Sequence, residues 1–427
     1  MGPKISLCHS TIFIPLVNKF IDPHMFALYT IAMNIGIGFS ESQDQIQAAN
    51  DAIGQAIIEL RNLPANLAFI FTSIEFTNPL VLRTATNLLG GIPILGCSSL
   101  GLITNQGIFK HGFLILLISL NQQIFFNTAL IKDINKKDPA ANGKELGEKL
   151  LYGCKNVRRS LSIVFLDGLT TRATNIINGL QEKLGISFPL IGASASDNLV
   201  FQKTYQYFNN EILSESCCGI LFGGKINFGL GIRHGWNPLG KMRCVTKSNG
   251  NIIEEIDGKV AVNLYEDYLA KNTLELFKEL QRISIFYPIG VYLEGENEYL
   301  LRNIISIKSD GSLVTQGDVP ENSKIRLMIS TKDSCLNAAM TACQEAKKNL
   351  GDKKIKFILV FDSASRFSLL GRQREKELSI IKEMFGKNIP IIGIYTYGEQ
   401  APLNSINYLG RSYFHNQSIS ILAVGDQ

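Results

Sequence analysis

The chain has 427 residues, of which 45% are apolar and 19% charged, and its formal net charge is +5. The length allows two or three domains with cores of their own, and the composition is that of an ordered globular protein, so a disordered chain is excluded. Basic and acidic residues are interspersed, pairs such as Arg158-Arg159 and Lys353-Lys354 stand alone, and the clustered cationic stripe that nucleic acid requires is absent.

In chain order, residues 5–17 and 25–33 are apolar and are separated by Lys19, Asp22 and Pro23. Neither run reaches the roughly 18 residues needed to cross a bilayer, and no small-x-small cleavage site follows. Residues 1–32 are therefore read as an N-terminal extension ahead of a true start at Met25 or Met33. The expected protein is cytoplasmic, with no membrane segment.

From there one unit recurs three times. Each copy starts with an apolar run: LAFIFTS after Asn66, SIVFLDG after Leu161 and FILVFDS after Lys356. Short apolar runs closed by polar residues mark strands buried on both faces. Segments starting at Pro79, Arg172 and Arg372 follow, with apolar residues at the three- and four-residue spacing of a helix that buries one face. A second strand then ends at Gly96, Gly192 or Gly393 in IPILG, FPLIG or IPIIG. Strand, helix, strand is a βαβ unit with a parallel pair and a right-handed crossover. The predicted fold class is α/β: βαβ units in mixed sheets, with antiparallel strand-rich stretches between them.

Those stretches are predicted at 201–265 and 283–331, around a helical 266–282. Ser248-Asn249-Gly250-Asn251 is a hairpin turn, since Asn-Gly accepts positive φ. An amphipathic helix is expected over 332–350, stopped by Gly351.

Eight cysteines occur without a C-x-x-C pair or zinc-finger spacing, and are read as reduced, mostly buried thiols. In parallel α/β sheets ligands bind beyond the carboxyl ends of the strands. Those ends carry Cys97-Ser98-Ser99, Asp167, Ser194 to Asp197, Asp362 to Arg366 and Tyr395 to Glu399. Hydroxyls with a few charges suit a small polar ligand; the same residues also cap helices and form turns. No G-x-S-x-G elbow, P-loop or H-E-x-x-H appears. Gly229-Leu-Gly231 lies among antiparallel strands and not in the strand–loop–helix setting of a phosphate cradle. His234 and His415 have aromatic neighbours, so each is a candidate haem ligand or a hydrogen-bonded structural histidine.

Ile92–Gly101 (IPILGCSSLG), Phe188–Asp197 (FPLIGASASD), His234–Gly240, Leu359–Arg366, Gly393–Pro402 (GIYTYGEQAP) and Phe414–Ser418 (FHNQS) together resemble the FIST family of sensory proteins. Leu102 and Ser363 depart from its pattern, standing where the family often has Glu and Cys. The resemblance implies two FIST-type domains, at 33–250 and 251–427. It implies a stand-alone sensor that is not an enzyme. Such a sensor binds a small molecule (an amino acid, or haem with nitric oxide) and acts in trans on a histidine kinase or a cyclic-nucleotide signalling enzyme. The expected ligand contacts are Cys97, Ser98, Asp197, Arg366, Tyr395, Tyr397 and Glu399, with Arg366 able to pair a carboxylate bidentately. His234 and His415 are the haem candidates, and no other metal site is expected. The alternatives are a haem-based nitric oxide sensor and a hydrolase using Asp197, Ser363 or Glu399.

Overall fold

The computed structural model describes residues 33–154, 157–294, 298–403 and 410–426. The reading of residues 1–32 as an extension lies outside the described residues. The three predicted parallel pairs form: Leu67–Ser73 with Ile94–Ser99, Arg159–Leu166 with Leu190–Ser194, and Ile355–Ser363 with Ile391–Thr396.

Each pair sits in a larger unit than its own sequence pattern reveals. The first unit opens with strand Asn34–Ser40 and helix Gln45–Glu59 and closes with strand Phe113–Ser119. The second opens with strand Ile124–Ile131 and helix Pro139–Tyr152 and closes with Cys217–Gly224. The third opens with Asn227–Arg233 and helix Lys332–Leu350 and closes with Ile419–Gly425. In all three the spatial order is opening strand, closing strand, then the parallel pair.

A two-stranded hairpin follows the second parallel strand of every unit and pairs with a different unit. The hairpin Leu102–Thr104/Ile108–Phe109 of the first unit extends the sheet of the third. Gln206–Phe208/Glu211–Leu213 of the second extends the sheet of the first, and Gly398–Pro402/Ser412–His415 of the third extends the sheet of the second. The exchange is cyclic, so three similar units close into one body.

The three sheets turn one face inward to a shared core, which includes Phe69, Phe71, Leu95, Phe165, Ile191, Phe361 and Ile394. The Phe71, Phe165 and Phe361 side chains come from matching positions of the three units. Phe165 meets Phe71 edge-on at 5.6 Å and Phe361 at 6.0 Å, a favoured aromatic geometry. The outer faces are covered by each unit's own helices. The parallel strands thus lie between two apolar layers, which is why they read as unbroken apolar runs.

The opening strands approach their helices through glycine. A Cβ on Gly229 or Gly231 would lie 1.9 or 2.0 Å from the Ala346 or Ala342 carbonyl oxygen of helix Lys332–Leu350. Gly36 and Gly38 stand in the same relation to Ala56 and Ala52. Close backbone approach therefore explains the Gly229-Leu-Gly231 pair.

Residues 236–330 are inserted between the opening strand and first helix of the third unit. They form an eight-stranded antiparallel sheet with short helices Asn263–Leu269, Thr273–Lys278 and Leu280–Phe286. This layer has its own core, including Val245, Ile253, Tyr265, Leu276 and Leu327. The predicted hairpin turn joins Trp236–Asn249 to Ile252–Ile256, with Asn249 paired to Ile252, so position 250 lies within one sheet. Among the described residues no helix is long and apolar enough to cross a membrane.

Candidate functional site

The second parallel strands of the three units end side by side. The Ser98 hydroxyl donates to the Ser196 carbonyl (2.9 Å) and accepts from the Tyr205 amide (3.0 Å). The Ser196 hydroxyl donates to the Tyr395 carbonyl (2.6 Å) and accepts from the Leu100 amide (2.8 Å). Ser99 Oγ accepts from the Tyr395 amide (3.1 Å). Serine hydroxyls here satisfy backbone groups of neighbouring units, in a junction without exposed surface. Cys97 belongs to the shared core, and burial pushes its thiol well above the usual range, with Cys218 nearby adding to the effect. A thiol so placed is a packing group and not a nucleophile.

Arg366 is 0% exposed. Its Nε donates to Asp362 (2.8 Å), its Nη1 to the His234 carbonyl (2.7 Å), and its Nη2 to the Cys335 carbonyl (3.0 Å) and to Glu377. The fork is therefore directed at protein partners and ties the segment that leads into the insertion to helix Lys332–Leu350. Burial, then repulsion from Glu377, raises the Asp362 carboxyl well above its ordinary value. Tyr395 is fully buried, and its ring meets Phe367 at 4.7 Å. Glu399 Oε1 accepts from the Thr396 hydroxyl (2.6 Å), and Oε2 accepts from the Ser418 amide (3.1 Å) and hydroxyl (2.8 Å). Burial pushes this carboxyl up to about 7, opposed by those hydrogen bonds.

Beside this closed region lies a cavity of about 520 Å³, within the usual range for small-molecule sites. Three parts of the chain build it. The second unit contributes Gly168, Leu169, Thr171 and the loop at Leu199–Phe201, and the third contributes Ser363–Ser365, Thr396 and Tyr397. The insertion contributes Leu280, Gln281, Ser284, Ile285, Asn303–Ile305 and Gln316. Of the seven residues expected to touch ligand, Tyr397 lines this space. Glu399 is bonded to Thr396 of the wall, and Asp197 holds the loop.

That loop is built around one carboxylate. Asp197 accepts from the amides of Val200 (3.0 Å), Phe201 (3.1 Å), Gln202 (2.9 Å) and Lys203 (3.4 Å), and from the Tyr397 hydroxyl. Leu199 and Phe201 have φ of 68° and 58°, a region that bulky residues enter only where the surroundings impose it. The Phe201 ring stacks on Tyr397, with centroids 4.7 Å apart and planes at 19°, yet Phe201 is 49% exposed.

Both candidate haem ligands have protein partners. His234 Nδ1 accepts from the Trp236 amide (2.8 Å), and its Nε2 lies 2.6 Å from Glu298. His415 Nε2 bonds the Ala401 carbonyl (3.0 Å), and burial depresses its pKa to about 3, which keeps the ring neutral. Both rings are thus engaged with protein groups, and neither lines the cavity. Among the described residues no group of three or more His, Cys, Asp or Glu is placed to hold a metal ion. Of the hydrolase candidates, Ser363 caps its helix by accepting from the Ser365 amide (3.1 Å), while Asp197 and Glu399 are engaged as above.

Sequence reasoning missed the insertion's share of the site. Arg302, fully buried, donates to the carbonyls of Asp318 (3.0 Å), Leu301 (2.9 Å) and Phe414 (3.0 Å) and so clasps the insertion to the third unit's hairpin. Asn303 and Gln316 line the cavity from that side. The available signal was the FHNQS segment, whose Asn416 and Gln417 face them.

An uncharacterised protein of Methanocaldococcus jannaschii is 24% identical over 252 residues, 55% of this chain and 48% of that protein, so the match spans about half of that relative's length. An uncharacterised protein of Mycobacterium tuberculosis is 20% identical over 389 residues, 88% of this chain and 96% of that protein. Among solved structures a cyanuric acid hydrolase aligns at a TM-score of 0.36 and 7% identity, covering 92% of this chain and 99% of that one. PurLQS from Thermotoga maritima aligns at 0.22 and 9%, covering 92% and 72%. A family model for the FIST N domain matches residues 66–259 and one for the FIST C domain matches residues 261–402, with the join inside the inserted layer. The chain belongs to the FIST family of sensory domains.

Proposed function

We propose that the chain is a small-ligand sensor whose ligand occupies the cavity between the second unit, the third unit and the insertion. One observation carries this reading: the wall is shared by three parts of the chain, two repeat units and the inserted layer. A ligand there bridges the repeat body and the inserted layer, and its binding energy favours one arrangement of the two over others. Ser363, Ser365, Thr396 and Tyr397 supply hydrogen-bonding groups on one side, and Ser284, Asn303 and Gln316 on the other. Output passes in trans to a partner signalling enzyme such as a histidine kinase, and the protein is not itself catalytic. Family membership supports the sensory part of this reading.

The test is to denature freshly purified protein, identify any released small molecule by mass spectrometry, and add it back to stripped protein. A ligand that binds only the folded state raises Tm. The rise should disappear in Thr396→Val and Phe201→Ala. If no molecule is released and no metabolite of a broad panel shifts Tm, the sensor reading fails.

A further inference from the structure

The cavity wall has a chemical bias that its hydroxyls conceal. None of the nineteen described residues lining it is Asp, Glu, Lys, Arg or His. The nearby guanidinium of Arg366 is fixed on two carboxylates and two carbonyls and is fully enclosed. A ligand carboxylate or phosphate entering this space would lose hydration without meeting a counter-ion among the residues that line it.

In place of charge, the insertion side carries linked carboxamides. Gln316 Nε2 donates to the Gly168 carbonyl (3.4 Å), and its Oε1 accepts from Asn416 (3.2 Å) and Asn303 (3.5 Å). The backbone N–H of Asn303 donates to Asn416 Oδ1 (3.3 Å), and Gln417 Nε2 donates to Asn303 Oδ1 and to the Ser284 carbonyl (2.7 Å). Asn303 and Gln316 face the cavity, while Asn416 and Gln417 stand behind them, both buried. Gln417 holds φ at 61°, and its Oε1 has no protein partner among the described residues. A carboxamide offers a donor and an acceptor side by side, and a second rank of amides fixes which way each one points.

We infer that the cavity takes an uncharged ligand with an amide-, urea- or lactam-type donor–acceptor edge, read by Asn303 and Gln316 and oriented through Asn416 and Gln417. This rests on the cavity being the ligand site. The rest of the wall is largely apolar and aromatic, with Leu199, Ile285, Ile304 and the Phe201–Tyr397 pair, and suits the body of such a molecule.

The experiment measures Tm and calorimetric affinity with pairs that differ mainly in one carboxylate: uracil against orotate, and nicotinamide against nicotinate. The neutral member of at least one pair should bind tenfold or more tightly than its anionic counterpart. Asn303→Ala and Gln316→Ala should each weaken that binding about tenfold while keeping the unliganded Tm and circular dichroism of a folded protein. Gln417→Met should narrow the preference for the neutral member, an effect that a purely structural amide would not produce. If the carboxylates bind as well or better, the ligand class is wrong and the site stands. If neutral probes bind but ignore both alanine variants, the carboxamide assignment is wrong. If neither pair binds, the ligand class is wrong, and the cavity reading is decided separately by the Tm response to the molecule released on denaturation.

Discussion

Two neighbouring regions of this protein use the same residue types for opposite ends. At the junction of the three units, Ser98, Ser99 and Ser196 bond the backbone of adjacent units, and nothing is left to face solvent. In the cavity, Ser363, Ser365 and Thr396 stand at equivalent strand ends with open space before them. A hydroxyl at a strand end is thus not evidence of a site by itself. What decides is whether another strand end arrives to take its hydrogen bond. The cyclic exchange of hairpins brings the strand ends together at the junction, and the insertion keeps the second and third units' rims apart at the cavity.

The two regions should separate under mutation. The largest effect is expected from Arg366→Met, which leaves Asp362 and Glu377 buried without their cation. It should cost about 3–5 kcal/mol in urea unfolding without changing ligand selectivity in any protein that still folds. A retained stability would mean that the cluster is hydrated and closer to the cavity than its enclosure suggests.

Glu399 lies between the two regions, and its effect is set by pH. Its folded pKa is raised to about 7 from an ordinary 4.5, so the folded state binds the proton more tightly than the unfolded chain. The resulting stability is complete below about pH 4.5 and is lost as pH rises through about 7, in total about 3 kcal/mol. Denaturant titrations across this window should show wild type losing stability relative to Glu399→Gln. Parallel curves for the two proteins would refute the assignment.

A smaller loss is expected for Ser196→Ala, which strands the buried Leu100 amide. It should lower stability by about 2 kcal/mol and leave ligand-induced Tm shifts unchanged, because the hydroxyl serves the junction alone. Phe201→Ala should do the reverse. Removing the stacked ring should cost about 1 kcal/mol of stability, since the ring is half exposed, but should weaken ligand binding more than any junction variant. Equal effects of both variants on binding would erase the distinction between junction and cavity.

Much of the body was legible in the sequence. The three βαβ pairs follow from apolar runs, helical spacing and the IPILG, FPLIG and IPIIG endings, because strands between two apolar layers have no polar face to vary. The helix over 332–350 and the turn at Asn249-Gly250 were readable for equally local reasons, a capped amphipathic run and a positive-φ pair. The opening helices Gln45–Glu59 and Pro139–Tyr152 and the closing strands were not recognised as parts of the repeat. The third unit hid the pattern by carrying the inserted layer between its opening strand and its helix.

The candidate site was legible only in part, and Tyr397 shows why. Its place at a strand end was predictable, but so were those of Ser98 and Tyr395, which the fold closes off. The amino-acid sequence determined the units, their parallel pairs and the chemical character of their ends, since each depends on neighbours a few residues away. Tertiary structure alone decided which ends face a cavity, that Arg366 faces Glu377 from the next helix, and that Asn303 and Gln316 meet Asn416 and Gln417. Asn303 and Gln316 stand 100 to 114 residues from Asn416 and Gln417 in the chain, and only the docking of the insertion against the third unit's hairpin brings them within bonding distance.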